Sequence, residues 1–230
     1  MITTSSQHDG HGHAPYSRIG VVGDIHTEVQ RLDWALSLLR EQRVDCVIAT
    51  GDIVDGPHTG EAIARTCRML REAGALAVQG NHDRWFLDRE HRNLECATLA
   101  EDIDSATREY LQDLPASAEL PTPHGLLLLG HGLGGDDMGA LYPYDHGAAL
   151  RNNRQLQRVL QLQRYRFVVS GHTHVRMVRK IEDVTFVNAG SLHAEREPCC
   201  CSLLDFTRMQ AQFFDLAPDG STLRGPEFEL

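Results

Sequence analysis

The sequence predicts an α/β protein with a parallel sheet at its core. Short apolar segments suited to buried strands alternate with segments whose apolar residues recur at helical spacing. Strands are expected at residues 18–23, 45–49 and 75–78, with one helix beginning near residue 29 and another at 61–72. Because a helix between two strands favours a right-handed parallel crossover, these segments predict a parallel sheet.

The rest of the chain continues this pattern and then changes it. The charged segment 84–114 predicts a helical cap inserted over the sheet edge. Further strands are expected at 125–130 and 166–170, with a helix at 149–163 between them. From residue 175 onward, short apolar segments without helices favour antiparallel or mixed strands joined by hairpins.

Length and composition favour one folded domain. The chain has 230 residues, of which 41% are hydrophobic and 23% charged, enough apolar material for a sizeable core. We expect residues 17–230 to form a single domain with the cap inserted, and residues 1–16 to form a flexible tail rich in His. His8, His11 and His13 of that tail could bind a transition metal, although a disordered leader is favoured.

Charge and hydropathy exclude several classes of protein. The net charge is -10 and no run of five like charges occurs, which argues against a general nucleic-acid surface but not against one local positive site. No apolar segment approaches the roughly 18 residues of a membrane span, and the polar start does not resemble a signal peptide. A cytoplasmic location is the default expectation, and the six cysteines need not be oxidised there. The sequence does not predict the oligomeric state.

Five short motifs place metal-ligand side chains directly after predicted strands or in nearby loops. They are Gly23–His26 (GDIH), Gly51–Asp55 (GDIVD), Gly80–Asp83 (GNHD), Gly130–Gly132 (GHG) and Gly171–His174 (GHTH). Ligands of open α/β sheets gather at the carboxyl ends of strands, and glycine allows the sharp turns needed there. Each motif alone is weak, but their joint occurrence in this order predicts one shared metal site.

With the pattern DxH, GDxxD, GNHD, GH and GHTH, the chain resembles the calcineurin-like metallophosphoesterase family over roughly residues 18–193. The resemblance implies a four-layer α/β/β/α sandwich, in which two mixed sheets are flanked by helices. It also implies two divalent metal ions that share one bridging carboxylate. One ion would be held by Asp24, His26, Asp52 and His174, and the other by Asp52, Asn81, His131 and His172.

The implied ligands are consistent with hydrolysis of phosphoesters. Mixed imidazole and carboxylate ligands suit Mn, Fe, Zn, Ni or Co better than Ca or Mg, and we expect Mn to support activity in vitro. Two such ions about 3.5–4 Å apart can share a hydroxide that attacks phosphorus. The resemblance further implies that His82 is the general acid, with Asp83 orienting its ring. The alternative is that His82 only caps its loop.

The resemblance also narrows the substrate. Ser/Thr protein phosphatases and symmetrical dinucleoside tetraphosphatases of the family carry a phosphate-binding Arg where this chain has Gly56. The chain is therefore more similar to the small bacterial and archaeal phosphodiesterases, which favours a small nucleotide-like phosphodiester or phosphomonoester as substrate. The cap and the loop 132–147 are the expected specificity elements. The candidate substrate contacts are Arg84, Arg89, Tyr142, Tyr144 and Arg151.

Two other functions stay open at this point. One is a non-catalytic protein-interaction scaffold, as in the retromer subunit with this fold, although the intact ligand set argues against it. The other is a phosphoprotein phosphatase.

Three remaining features are interpreted as structural. Asp55 is expected to hydrogen-bond within its own turn, and His193 to lie at the surface or behind the ligands. The triplet Cys199–Cys201 is interpreted as a buried strand, because alternate residues of a strand face opposite sides and cannot easily hold one ion.

Overall fold

Two β-sheets packed face to face form the centre of the protein in a computed structural model, which describes residues 14–58, 60–194 and 198–230. Its strands are β1 (Arg18–Val22), β2 (Cys46–Ala49), β3 (Leu76–Ala77), β4 (Ser117–Thr122), β5 (Gly125–Gly130), β6 (Tyr165–Ser170), β7 (Met177–Ile181), β8 (Val184–Asn188), β9 (Cys200–Asp205), β10 (Gln210–Leu216) and β11 (Thr222–Glu229). Its α-helices are α1 (Val29–Glu41), α2 (Glu61–Glu72), α3 (Asn81–Asp88), α4 (Ser105–Asp113), α5 (Ala148–Asn152) and α6 (Arg154–Leu162).

Both sheets are mixed. The first has the strand order β11-β10-β9-β1-β2-β3, in which β1, β2 and β3 are parallel and β9, β10 and β11 pair antiparallel. The second has the order β4-β5-β6-β8-β7, in which β5, β6 and β8 are parallel and both edge strands are antiparallel. The predicted combination of a parallel core with antiparallel strands is confirmed.

Alternating side chains of the central strands divide the apolar core. Ile19 and Val21 of β1 face the second sheet, where they share a core with Leu127 and Leu129 of β5. Val22 faces the other way, toward the core beneath α1 and α2. Since successive strand residues point to opposite faces, strands that are apolar throughout must be covered on both sides.

Helices cover the outer face of each sheet. α1 and α2 bury apolar residues such as Leu32 and Ile63 against the first sheet. α6 buries Leu156 and Val159 against the second sheet, in a core that includes Phe186 of β8. The layers therefore follow the order helix, sheet, sheet, helix, which confirms the predicted four-layer fold.

Two edge strands were missing from the sequence-based prediction. β4 contains Pro121 and the partly exposed Glu119, and β11 contains Gly225 and Pro226. Proline lacks a backbone N–H and is tolerated at sheet edges, so the residues that obscured these strands are typical of edge positions. β4 pairs antiparallel with β5 and β11 pairs antiparallel with β10, and both partner strands were predicted from the sequence.

The helical segments also differ from the prediction in detail. Within 84–114, regular helix is confined to α3, α4 and a short 3-10 turn at Ala100–Asp102, so 89–99 is irregular. The predicted helix 149–163 is divided into α5 and α6 by Asn153, whose side-chain oxygen accepts a hydrogen bond from the Leu156 N–H. Asn is a preferred N-cap residue, so this break has a local cause.

Most of the predicted tail, residues 1–13, lies outside the described residues, and so do its histidines His8, His11 and His13. Tyr16, assigned to the tail, is already part of the fold because its N–H donates to the Pro121 carbonyl at 2.9 Å. Among the described helices, none is long and apolar enough to cross a membrane.

The cysteine triplet is a buried segment leading into β9. Cys199 and Cys201 pack in the core beneath the α1–α2 layer, whereas Cys200 lies against the Ala189 carbonyl. Cys199 and Cys201 therefore face the opposite side of the segment from Cys200, in agreement with the alternation expected of a strand.

We predict that Leu127→Ala will lower the free energy of unfolding by about 2 to 5 kcal/mol, because the lost side chain leaves a cavity between the sheets. Leu223→Ala at a 60% exposed position of β11 should cost less than about 0.5 kcal/mol. Urea denaturation measured by circular dichroism compares the two, and equal losses would contradict this assignment of the core.

Candidate metal centre

The seven predicted metal ligands lie together at one rim of the sandwich, where parallel strands of both sheets end. In chain order the rim receives Asp24 and His26 after β1, Asp52 after β2, Asn81 after β3, His131 after β5, and His172 and His174 after β6. Five are buried, and His172 and His174 are partly exposed.

One group of four ligand atoms comes from Asp24, His26, Asp52 and His174, all within 4.8 Å of one another. The Nε2 atoms of His26 and His174 are 3.3 Å apart. The same His174 nitrogen is 3.4 Å from Asp24 Oδ1, and the His26 nitrogen is 3.6 Å from Asp52 Oδ2. This spacing is suitable for one metal ion with nitrogen and oxygen ligands.

A second group adjoins the first through Asp52. Asn81 Oδ1 lies 2.8 Å from His131 Nε2 and 2.9 Å from His172 Nδ1. Asp52 Oδ2, which faces His26, is also 3.2 Å from His131 Nε2. The two groups are therefore contiguous, and one carboxylate oxygen lies between them.

Hydrogen bonds to backbone carbonyls fix two of the histidine tautomers. His26 Nδ1 donates to the Asp55 carbonyl and His131 Nδ1 donates to the Thr50 carbonyl, each at 2.7 Å. A neutral imidazole has one N–H, so Nε2 of His26 then presents a lone pair to the cluster, and Nε2 of His131 does so once it gives up its proton. Burial lowers the pKa of His26 to about 4, which keeps its ring neutral.

The electrostatics of the second group favour positive charge. Burial alone would lower the pKa of His131, but the carboxylate of Asp52 outweighs it and raises that pKa to about 10. Burial would in turn raise the pKa of Asp52, and the neighbouring His131 and His26 hold it far below its usual value. A proton or a metal ion could provide the positive charge that this pair requires.

Two buried ligand-type atoms have no hydrogen-bond partner among the described residues. They are Asp24 Oδ2 and His174 Nδ1. Burying an unsatisfied polar atom costs on the order of 1 to 3 kcal/mol. The opposite atoms of the same two groups, Asp24 Oδ1 and His174 Nε2, lie 3.4 Å apart in the cluster, so the fold holds both side chains there at a cost in unsatisfied polar atoms.

The backbone at the rim is strained. Asp24, His26, Asp52, His172 and His174 all have positive φ, between 44° and 66°. The left-handed region is disfavoured for residues with a Cβ, by about 1 to 2 kcal/mol each. Strain of this kind clusters at functional sites, where the surrounding structure enforces it.

His82 lies beside the first group, with its ring centroid 4.9 Å from that of His26. Its Nδ1 is 2.9 Å from Asp55 Oδ2, and Asp55 is completely buried. Both Asp55 oxygens also accept from the guanidinium of Arg92, at 2.8 and 2.9 Å, and Thr98 donates its N–H to the same carboxylate. Burial alone would lower the pKa of His82, but these carboxylate contacts raise it.

The prediction that Asp83 orients the His82 ring is wrong, because Asp55 occupies that place. Asp83 instead accepts the backbone N–H groups of Gly80, Ile53 and Val54, and so ties the loop after β2 to the start of α3. An acidic residue at the third position of a helix commonly reaches back to the helix start, which is the signal that would have predicted this role. Burial and the charge of Asp52 raise the pKa of Asp83 to about 6.

Comparison with known proteins agrees with this geometry. The profile of the calcineurin-like phosphoesterase superfamily domain matches residues 18–208. The chain belongs to this superfamily.

Three relatives illustrate the similarity. A phosphodiesterase of Methanocaldococcus jannaschii is 22% identical over 187 residues, which are 81% of this chain and 86% of that protein. An uncharacterized protein of the same archaeon is 31% identical over 75 residues, and the match spans 32% of this chain and only 29% of that relative. The solved structure of a hypothetical protein from Pyrococcus horikoshii has a TM-score of 0.71 at 17% identity, covering 86% of this chain and 87% of that one, and shows the fold alone.

Close contacts explain why this superfamily member has glycines in its motifs. A Cβ at Gly80 would lie 2.2 Å from Asp52 Oδ1, and one at Gly171 would lie 2.4 Å from Asp24 Oδ2. A Cβ at Gly56 would lie 1.8 Å from the His26 carbonyl oxygen. The Arg found at this position in other superfamily members therefore has no room on this backbone.

The predicted substrate contacts differ in their surroundings. Arg84 is engaged by Asp137 at 2.6 Å and by Glu90 at 3.0 Å, so it links α3 to the loop after β5. Arg89 lies at the exposed end of α3.

The tyrosine and arginine candidates that follow are more accessible. Tyr142 and Tyr144 stack with ring centroids 5.2 Å apart, and Tyr144 is 65% exposed. Arg151 is exposed on α5.

His193, expected at the surface or behind the ligands, lies with its ring centroid 4.8 Å from that of His26 and 6.1 Å from that of His174. Sequence reasoning missed Arg92, which comes from the irregular segment after α3, 37 residues from the Asp55 that it binds. Arg92 carries no local sequence signal, because this contact depends on long-range folding.

We predict that Gly56→Ala will lower the free energy of unfolding by about 3 kcal/mol, because its Cβ would overlap the His26 carbonyl. Gly135→Ala is the control, since its Cβ meets nothing within 4 Å and adds only left-handed strain of about 1 to 2 kcal/mol. Urea titration of both variants measures the difference. Equal or smaller destabilisation by Gly56→Ala would contradict the proposed contact.

Proposed function

We propose that this protein is a dinuclear metal-dependent phosphoesterase that hydrolyses a small, nucleotide-like phosphodiester or phosphomonoester. The observation that carries the proposal is the buried cluster of imidazole, carboxylate and amide groups whose nitrogen and oxygen atoms face one another at the rim. Membership of the phosphoesterase superfamily supports hydrolysis of a phosphoester as the reaction class. A cytoplasmic location stays a prediction.

The two contiguous groups supply the proposed ligands. Asp24, His26, Asp52 and His174 would hold one ion, and Asp52, Asn81, His131 and His172 the other. When bound, two divalent ions would lower the pKa of water and neutralise charge on the phosphoryl oxygens. Mn is the ion we propose for activity in vitro, with Fe, Zn, Ni or Co as alternatives.

His82 is the proposed general acid. Its Nδ1–H is committed to Asp55, so Nε2 is the ring atom available to protonate the leaving oxygen. The side chain is 20% exposed, which leaves access for a substrate. In return, the Asp55 carboxylate stabilises the protonated ring.

Arg92 is the proposed positioning residue behind this pair. Burial would raise the pKa of Asp55, but hydrogen bonds from His82 and Arg92 lower it to about 2. Asp55 therefore stays ionised and can orient His82. For Asp83 we propose a positioning role as well, because it joins the loops that carry Asp52 and Asn81.

The two alternatives are less well supported. A non-catalytic scaffold gives no reason for the strained backbone at five ligand positions. A phosphoprotein phosphatase of the GDxVDRG type would require an Arg where the backbone around Gly56 excludes any side chain.

We predict that protein stripped with EDTA and reloaded with Mn²⁺ will hydrolyse bis-p-nitrophenyl phosphate, and that Asp52→Asn will abolish the activity, because Asp52 contacts both groups. Asp33→Asn on the exposed surface of α1 is the matched control and should keep full activity. Wild-type protein that binds two metal ions yet cleaves no phosphoester in a broad substrate panel would overturn the proposed function.

We also predict that loss of His82 will depend on the leaving group. His82→Ala should lower kcat by about 10² to 10⁴-fold for esters of poor leaving groups such as aliphatic alcohols, and by less for p-nitrophenyl esters, which need no proton. Arg92→Ala should lower kcat with the same dependence on the leaving group but by a smaller factor, and Arg92→Lys should restore part of the lost kcat.

Steady-state kinetics with a series of leaving groups, together with metal analysis, tests these roles. Metal content should equal that of the wild type in each variant. A uniform loss across all leaving groups would indicate a purely structural role for His82 and Arg92.

A further inference from the structure

The positive charge of this acidic protein is concentrated in one segment. Residues 146–181 contain eight of the 22 Lys and Arg residues and none of the 32 Asp and Glu residues. The segment includes α5, α6, β6 and β7, which form the outer layer and part of the second sheet. A local positive field on a protein with net charge -10 indicates a surface for an anionic ligand.

Three arginines of this segment line one open groove of about 540 Å³, which we call the arginine groove. Its lining residues are Arg151, Asn152, Arg154, Gln157, Arg158 and Gln161, without a carboxylate. All three arginines are exposed, and none forms an ion pair with a described carboxylate. In contrast, Arg164 and Arg176 of the same segment pair with Glu119 and Asp215.

The arginine groove begins at the end of the sheet that carries the metal centre. α6 connects the parallel strands β5 and β6 and therefore runs back from the carboxyl end of β5 to the amino end of β6. Since the carboxyl ends of both strands lie at the rim with His131, His172 and His174, the amino end of α6 lies toward the same rim. Contacts agree with this placement. Asn153, just before α6, donates to the Ala140 carbonyl, and Gln155 bonds Asp136, both in the loop that follows His131.

An aromatic platform lies in the same loop, which along the chain separates His131 from the three arginines. Tyr142 and Tyr144 are stacked at an interplanar angle of 16°, and Tyr144 remains 65% exposed. Arg179 holds the platform by donating to the Tyr142 carbonyl at 3.0 Å. Proteins bind single-stranded nucleic acids by combining exposed rings, on which bases stack, with arginines that contact phosphates, and the segment that follows His131 supplies both.

We propose that the natural substrate class is a single-stranded oligonucleotide, which reaches from the metal centre across Tyr144 into the arginine groove. This inference rests on the proposed phosphoesterase function and deepens it. Arg154 and Arg158 are four residues apart on α6, about 6 Å along the helix axis, so each can contact a different phosphate. The amide side chains of Asn152, Gln157 and Gln161 offer further donors to sugar and phosphate oxygens.

The test compares oligonucleotide binding by matched variants of the metal-loaded protein. Fluorescence anisotropy with a labelled 12-nucleotide phosphorothioate strand, which resists hydrolysis, measures Kd at several salt concentrations. The variant Arg151→Gln/Arg154→Gln/Arg158→Gln should bind more weakly and lose about 2 from the slope of log K against log salt. Between 50 and 200 mM salt, wild-type affinity should therefore fall roughly 20-fold more than that of the variant.

Three exposed arginines of the opposite helical layer provide the matched control. Arg40→Gln/Arg65→Gln/Arg68→Gln removes the same charge from α1 and α2 and should leave both Kd and the salt slope unchanged. Tyr144→Ala should weaken binding by about fivefold or more through lost stacking, whereas Tyr144→Phe keeps the ring and should bind as the wild type does.

Activity assays separate this inference from the proposed function. The double variant Arg154→Gln/Arg158→Gln, which keeps Arg151, should hydrolyse bis-p-nitrophenyl phosphate at the wild-type rate but lose kcat/KM on an unmodified oligonucleotide. If the wild type hydrolyses the small ester while groove and control variants bind the oligonucleotide equally, the inference is overturned and the proposed function stands. If the wild type binds through the groove but hydrolyses no phosphoester, the proposed function fails instead. Groove-dependent binding to phosphatidylserine vesicles without oligonucleotide binding would also overturn the inference.

Discussion

The rim of the sandwich depends on a dense set of nitrogen and oxygen atoms that require a shared positive charge, from protons or from metal ions. The Nε2 atoms of His26 and His174 lie 3.3 Å apart. Nε2 of His131 lies 3.2 Å from Asp52 Oδ2 and 2.8 Å from Asn81 Oδ1. No such arrangement would persist on a flexible loop, because the side chains would turn away. The fold prevents this by fixing the outer nitrogens of His26 and His131 to backbone carbonyls and by holding the ligand backbones in the left-handed region.

A second constraint links the rim to the irregular segment after α3. Asp55 receives His82 from one side and Arg92 from the other, and its own carbonyl accepts from His26. One buried residue therefore fixes a proposed metal ligand and the proposed general acid at once. Since Arg92 belongs to the segment expected to act as a cap, the conformation of that segment is coupled to the orientation of His82 through a bidentate ion pair.

The sequence predicted those features that depend on periodicity and on motif order. Buried strands such as β1 and β5 are apolar throughout, and the Gly-containing motifs directly after parallel strands had to meet at one end of the sheets. Edge strands β4 and β11 were missed because their polar residues, Gly and Pro give little strand signal. Asp83 was predicted to orient His82 because it is the next residue along the chain, but its side chain turns back to the start of the helix and Asp55 contacts His82 instead. The Asp55–Arg92 pair and the positive φ values follow from tertiary packing, which local patterns do not contain.

The proposed metal centre would couple the stability of the whole chain to the supply of cations. Asp24 Oδ2 and His174 Nδ1 lose water on folding and gain no hydrogen bond in exchange among the described residues. A cation bound only by the folded state, through facing atoms such as Asp24 Oδ1 and His174 Nε2, would offset this loss by mass action, and at 100 times its dissociation constant it would add about 2.7 kcal/mol to the free energy of unfolding. A cell that runs short of transition metal would then hold a larger unfolded fraction of this protein, and proteases act on that fraction. Metal scarcity would in this way lower the abundance of the protein as well as the occupancy of its site.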